Sequence, residues 1–146
     1  MIRYTVNSIE TFLSIPLYVT ALTVNGGSCN EDNIAVVDLS SFKFLRSVVM
    51  GSNCFRYVKI FSIVGLNWLE SVSIGAYSFG YFGDMWVGSQ FKIVNCPQLK
   101  WLSIKGGYSF DRYDEFELSQ LPQLKTVEIY YCFLYAPKAV FRGMND

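Results

Sequence analysis

Histidine is absent from this 146-residue chain. The commonest general base and the commonest metal ligand of proteins are therefore both missing. Ser-His-Asp, Cys-His and HExxH arrangements cannot be built without histidine. The phosphate-binding patterns GxGxxG and GxxxxGK[ST] are also absent. We therefore expect a protein that is not an enzyme and that holds no cofactor and no metal ion.

Charge is scarce as well, since charged residues make up 16% of the chain and hydrophobic residues 51%. Twelve basic residues balance twelve acidic residues, so the formal net charge is zero. The chain therefore lacks the excess of basic residues that is typical of nucleic-acid-binding proteins, and we expect no nucleic-acid partner. The high apolar content predicts a chain that buries a core rather than a disordered one.

No uninterrupted apolar run reaches the ~18 residues that a membrane span needs. The apolar stretch at residues 11–24 is broken by Ser14, Pro16, Thr20 and Thr23. We therefore expect neither a membrane span nor a cleaved signal peptide. Cytoplasm and cell surface both stay open as locations.

The chain has four cysteines and no CxxC pair, which excludes a zinc knuckle and a thioredoxin-like redox motif. Free buried cysteine behaves as a small hydrophobe. Cys96 falls in an apolar column of the repeat described next, so we expect it in the core. The redox state of Cys29, Cys54 and Cys132 stays open.

The most informative feature of the sequence is an internal repeat. Four segments, which begin at Leu39, Ile63, Ile93 and Leu118, follow the pattern apolar-xx-apolar-xx-Leu-xx-apolar-x-apolar, and a weaker fifth copy begins at Leu13. The repeats are 24 to 30 residues apart. Their anchors are Val19, Leu45, Leu69, Leu99 and Leu124.

Each repeat contains two stretches of alternating apolar and polar residues, one after the anchor and one before it. Period-2 alternation predicts a β-strand with one buried face. The stretches before the anchors include Val37-Asp-Leu39, Phe61-Ser-Ile63 and Phe91-Lys-Ile93. Nothing in the chain has the pattern of a long amphipathic helix. We expect a mainly β fold in a single domain, residues 1–146.

The pattern L-x-x-[VL]-x-[IM] at this period, followed by a glycine turn, a serine and a phenylalanine, resembles the leucine-rich repeat. It is most similar to the BspA-like variant of bacteria and protists, over residues 13–142. The resemblance implies a solenoid of about five coils, with two short strands per coil forming two parallel sheets around one core. It also implies a protein that recognises partners rather than one that catalyses a reaction. The asparagine of the common consensus is missing, so no asparagine ladder is expected in the turns.

The register predicts which side chains are buried. Leu69, Leu99, Leu102 and Leu124 are expected to be nearly inaccessible. Phe79 and Phe110 repeat in register with Phe55 and are expected to form a second buried column. Cys96 shares its column with Phe42, Leu66 and Leu121.

The aromatic residues outside these columns are the candidate interaction surface. Most lie in the turn after the first strand of each repeat, the longest of which is residues 75–90, whereas Trp101 projects from a serine- and threonine-rich strand face. Exposed aromatic side chains among glycines favour recognition of protein or sugar. The alternative is that they pack beneath their own loops. The candidate residues are Tyr77, Tyr81, Phe82, Trp86, Trp101, Tyr108, Tyr113, Tyr130 and Tyr131.

We therefore expect a non-enzymatic protein-interaction or self-assembly module. One alternative is a carbohydrate-binding, lectin-like or adhesin domain that uses the aromatic loops. Another is a small hydrolase that pairs Asp84 with Asp111 or Asp114. The expected partner is a protein, including a second copy stacked end to end, because neither end of the sequence predicts a capping helix. The competing expectation is that residues 1–12 and 136–146 fold over the ends.

Overall fold

The computed structural model describes residues 2–79, 86–105, 109–110, 113–129 and 138–144, and for 86–87 and 138–141 it describes the backbone alone. In chain order the elements are β1 (Arg3–Val6), α1 (Ile9–Leu13), β2 (Ala21–Val24), β3 (Val36–Asp38), β4 (Ser47–Met50), β5 (Ile60–Val64), β6 (Ser71–Ile74), β7 (Trp86–Val94), β8 (Trp101–Ile104), β9 (Tyr113–Leu121), β10 (Thr126–Ile129) and β11 (Lys138–Met144).

The strands form two parallel sheets. Over the described ranges, sheet A has six strands in the order β1-β2-β4-β6-β8-β10, and sheet B has five in the order β11-β9-β7-β5-β3. From β2 onward the chain alternates between the two sheets, and each strand pairs with the strand of the next repeat. The prediction of a mainly β fold with two parallel sheets is confirmed.

The core lies between the sheets, because the apolar residues of each strand stay in register. Val48 pairs with Val72, and Met50 pairs with Ile74. All four of the leucines predicted to be buried are buried, and Cys96 is fully inaccessible. Their burial supports the anchor positions derived from the sequence.

A stack of phenylalanine rings fills the turn side of the core. Phe79 lies between Phe55 and Phe110, with ring centroids 5.2 and 4.6 Å away. It also meets the edge of Phe61 at 5.1 Å. All four rings are fully inaccessible, which confirms the predicted phenylalanine column.

Serine hydroxyls connect the turns that follow the sheet A strands. The backbone N–H of Cys54 donates to Ser78 Oγ (3.1 Å), and the N–H of Ser78 donates to Ser109 Oγ (3.0 Å). Ser109 Oγ in turn donates to the carbonyl of Gly75 at 2.9 Å. Because an unpaired buried backbone group is costly, these serines stabilise the turns by pairing their backbone groups.

The N-terminal end departs from the repeat. Residues 9–13 form the short helix α1, which begins at the N-cap Ser8, whose Oγ accepts a hydrogen bond from the N–H of Thr11 at 3.2 Å. Phe12 of α1 packs edge-on against Phe55, the first ring of the stack, at 5.4 Å. The expectation that no capping helix exists is therefore wrong at this end. Leu13, the first apolar position of the weaker fifth copy, is 75% exposed, whereas Leu39 and Ile63 at the same position of later copies are buried.

At the other end, β10 is the last strand of sheet A within the described residues. Val127, which pairs with the buried Leu102, is 45% exposed although it faces inward. The two ends therefore differ: α1 covers the end near β1, and an apolar side chain is accessible near β10.

Three cysteines, Cys29, Cys54 and Cys96, are free thiols in the core. Burial, the nearby Glu31 carboxylate and Cys54 raise the pKa of the Cys29 thiol to about 12. Burial also raises the pKa of Cys54 and Cys96. These thiols are held neutral, so their reactivity towards thiol reagents is expected to be low.

We expect the protein to lose stability at alkaline pH. The unfolded thiols ionise with the ordinary cysteine pKa of 9.0, whereas Cys29 in the folded state stays protonated until about pH 12. The stability that the protonated Cys29 thiol contributes to the folded state is fully present below pH ~9 and is lost as the pH rises towards 12. Urea midpoints measured by circular dichroism at successive pH values test this. Replacing Cys29 with alanine is expected to flatten the decline, and an unchanged pH profile would contradict the role of that thiol.

Candidate interaction surface

Most of the aromatic surface predicted from the sequence lies outside the described residues. Tyr81, Phe82, Tyr108, Tyr130 and Tyr131 are in this group, and so is the side chain of Trp86. Asp84 and Asp111, two of the three carboxylates named for the hydrolase alternative, also lie outside the described residues, whereas Asp114 is described and lies in β9. Tyr77 is described and exposed, in the turn after β6.

The prediction from the sequence that Tyr113 belongs to an exposed surface is wrong. Its side chain is fully inaccessible, and its hydroxyl donates to the backbone carbonyl of Val58 inside the core. Burial raises the pKa of this phenol well above its usual value of 10.0. The reason is that β9 begins at Tyr113, and β7 begins at Trp86, so these two residues pair as strand neighbours rather than lying in turns.

Trp101 lies on the outer face of sheet A, as predicted. It pairs with Ser71 on one side and Thr126 on the other, and its side chain is 47% exposed. The Lys100 ammonium is 5.9 Å from the Trp101 ring centroid. Its strand neighbours carry small hydroxyl side chains, which leave the ring about half exposed.

A second set of exposed aromatics, which sequence reasoning missed, precedes the strands of sheet A. Tyr18, Phe44 and Trp68 each lie directly before a buried anchor, and they are 62%, 56% and 50% exposed. Because their anchors precede strands β2, β4 and β6, which pair in register, the three side chains occupy the same position in successive repeats. Adjacent parallel strands are about 4.8 Å apart. We call these three residues the aromatic row.

Two members of the aromatic row flank a cleft. Phe44, Trp68, Thr20 and Arg46 line it. The Arg46 guanidinium lies 5.9 Å from the Trp68 ring centroid. Arg46 Nη1 is also 3.6 Å from Glu70 Oε1, which orients the guanidinium beside the ring. Because both charged side chains are substantially exposed, this ion pair contributes little to stability.

The charge beside the aromatic row is mostly positive. The outward column next to it runs Thr20, Arg46, Glu70, Lys100 and Lys125, and from Arg46 onward each backbone N–H donates to the carbonyl of the preceding residue in the column. It carries three cations against one anion. An acidic partner is therefore electrostatically favoured on this side of the molecule.

The described residues provide little for other classes of site. Within them, no group of three or more His, Cys, Asp or Glu side chains is arranged to hold a metal ion. No helix in the described part of the chain is long and apolar enough to cross a membrane.

Comparison with protein-family models, curated proteins and solved structures gave no significant match. The leucine-rich-repeat resemblance of the sequence therefore stays a prediction.

Proposed function

We propose that this chain is a non-enzymatic protein-binding module, built as a solenoid of the leucine-rich-repeat type. The solenoid is supported by the match between the sequence period and the alternation of the chain between sheets A and B. The binding function is supported above all by the aromatic row, in which three large rings are exposed in register rather than scattered over the surface. Exposed apolar patches with a polar border mark interaction sites.

The partner that fits this surface is an acidic protein segment that also carries apolar side chains. Apolar side chains would enter the cleft between Phe44 and Trp68. Carboxylates would meet Arg46, Lys100 and Lys125, which outnumber Glu70. Tryptophan, tyrosine and arginine are the residue types that most often dominate protein-binding energy.

End-to-end self-assembly is the weaker form of this proposal. Helix α1 covers the phenylalanine stack at the end near β1. A helix is about 10 Å across, whereas a strand occupies about 4.8 Å, so α1 prevents another coil from stacking flush on this end of the core. We therefore expect light scattering to give the monomer mass from micromolar to near-millimolar concentration. A mass that grows with concentration would instead favour self-assembly.

Binding of an acidic peptide tests the proposed surface. The probe is the fluorescein-labelled peptide EDFEDLED, titrated with the protein and followed by fluorescence anisotropy. Saturable binding is expected to weaken at least tenfold in Phe44→Ala and in Trp68→Ala, because each change removes one wall of the cleft. It is also expected to weaken as salt screens the cationic column.

Tyr57→Ala provides a matched control, since Tyr57 is an exposed aromatic outside the aromatic row. Binding to this variant is expected to equal that of the original chain. Equal binding by Phe44→Ala, Trp68→Ala and Tyr57→Ala, or no saturable binding, would refute the proposed surface. Saturable binding of cellohexaose that depends on Trp68, without peptide binding, would favour the carbohydrate-binding alternative.

A further inference from the structure

Within the described residues, sheet B has no strand between β1 and β2. Everywhere after β2 the chain passes from sheet A to sheet B and back. Between β1 and β2, both in sheet A, it forms α1 instead of a sheet B strand. As a result, the described part of the chain has six strands in sheet A and five in sheet B.

The missing strand leaves β3 at the edge of sheet B, as far as the described residues extend. The carbonyl of Ala35 accepts hydrogen bonds from the N–H groups of Lys59 and Ile60, and the N–H of Leu39 donates to Ser62, so these residues face β5. In a parallel ladder, consecutive residues direct their N–H and C=O groups to opposite sides. The backbone groups of Val36 and Asp38 therefore point to the open side, where a further strand would pair.

An apolar groove runs along this open edge. Its lining comes from α1 and from the segment that leads into β3: Ile9, Phe12, Leu13, Asn33, Ile34, Ala35 and Val36. Leu13 and Val36 are both exposed at the groove. An added strand would thus find backbone partners on β3 and apolar contacts on α1.

The charges around the groove are predominantly negative. Glu10 lies on α1, Glu31 and Asp32 precede the groove segment, and Asp38 lies on β3; all four are exposed. Two basic residues come from the neighbouring repeat: Lys59, whose N–H donates to the Ala35 carbonyl, and Arg56, whose N–H donates to Asn30 Oδ1. The balance of four acidic residues against two basic ones favours a basic partner.

We propose that the open edge of β3 binds an extended, basic segment of a partner protein, which adds the sixth strand to sheet B. The added strand hydrogen-bonds to Val36 and Asp38, and its apolar side chains pack against Leu13 and Phe12. Its lysine or arginine side chains face the acidic residues around the groove. This mode is strand addition, in which main-chain hydrogen bonds provide affinity and side-chain contacts provide specificity. The site is separate from the aromatic row and does not rest on the function proposed for it.

The test uses an acetylated, amidated and fluorescently labelled octapeptide that alternates lysine and valine. Two analogues carry N-methyl groups, one on the lysine amides and the other on the valine amides. Because alternate residues of an added strand face β3, one analogue is expected to lose at least tenfold in affinity and the other to keep it. A glutamate–valine octapeptide is expected to bind at least tenfold more weakly than the lysine–valine one.

Protein variants locate the binding site. Val36→Pro removes an N–H from the open side, and Leu13→Lys places a cation in the groove; each is expected to weaken binding at least tenfold. Val49→Lys, at an exposed valine on the outer face of sheet A, is the charge-matched control and is expected to bind normally. Trp68→Ala is also expected to bind normally, which separates this site from the aromatic row. Circular dichroism checks that each variant is folded.

Three results would overturn the proposal. The first is no saturable binding of the lysine–valine peptide. The second is equal binding of the two N-methylated analogues, since that excludes strand pairing. The third is a dimer of the protein alone that Val36→Pro dissociates, because the occupant of the edge is then a second copy of this chain.

Discussion

Replacing Phe79 with alanine is expected to lower the free energy of unfolding by about 3–5 kcal/mol. Phe79 is the middle ring of the phenylalanine stack, with Phe55 and Phe110 on its two faces and the edge of Phe61 beside it. Truncation removes the contacts of three rings at once. The cavity cannot fill easily, because the neighbouring rings belong to different repeats that are fixed by strand pairing. Urea denaturation followed by circular dichroism measures the loss.

Phe44→Ala is the matched control for this prediction. It deletes the same side chain from an exposed position, where the expected change is within about 0.5 kcal/mol. A comparable loss of stability in both variants would show that the ring stack is not what holds the repeats together.

The architecture could be predicted because the same constraint recurs. Each repeat places apolar residues at the same offsets from its anchor, since each must bury one face of two strands against its neighbours. Leu69, Leu99 and Leu102 are buried as a direct consequence. A wrong strand assignment in one repeat is corrected by comparison with the other repeats. The strands of the repeated part could therefore be predicted from the sequence.

The N-terminal end could not be predicted in the same way, because it has no second copy to compare. The residues of the weak fifth repeat carry the apolar offsets, yet Leu13 lies at the end of α1 and is exposed. The signal for the helix is local: Ser8 accepts from the N–H of Thr11, and Thr11 Oγ1 accepts from the N–H of Ser8. A five-residue helix is too short to produce a recognisable apolar period.

The candidate site was only partly predictable, since aromatic residues are used both inside and outside this fold. Tyr113 and Tyr77 look alike in sequence, but β9 begins at Tyr113 and takes it into the core. The aromatic row had a usable signal, because Tyr18, Phe44 and Trp68 all precede an anchor directly. A position that is aromatic in three successive repeats but outside the buried offsets predicts an exposed row.

The groove at β3 had no sequence signal at all. It results from the replacement of one strand by α1 and from the open edge that this leaves in sheet B. Both are properties of the assembled sheets, so only the structure reveals them.

Gly51→Ala is the second substitution expected to lower stability strongly, because successive turns are in close contact at Gly51. A Cβ atom built there would lie 2.6 Å from the backbone nitrogen of Gly26 and 2.8 Å from its Cα. Backbone atoms cannot move aside as a flexible side chain can. Gly51→Ala must therefore push two turns apart and strain the strand pairs that follow them. We expect a loss of about 2–3 kcal/mol in the free energy of unfolding.

Gly75 and Gly26, which lie in the two neighbouring turns, allow the size of this effect to be compared between positions. At Gly75 the added Cβ would meet backbone atoms of Ser52 and Gly51 at 2.6 and 2.7 Å, so Gly75→Ala is expected to cost as much as Gly51→Ala. At Gly26 the nearest atom is the Ser52 carbonyl oxygen at 3.2 Å, and the expected loss is within about 1 kcal/mol. Urea denaturation of the three variants under the same conditions tests this order. If Gly26→Ala were the most destabilising of the three, close stacking of the turns could not be the reason for glycine at these positions.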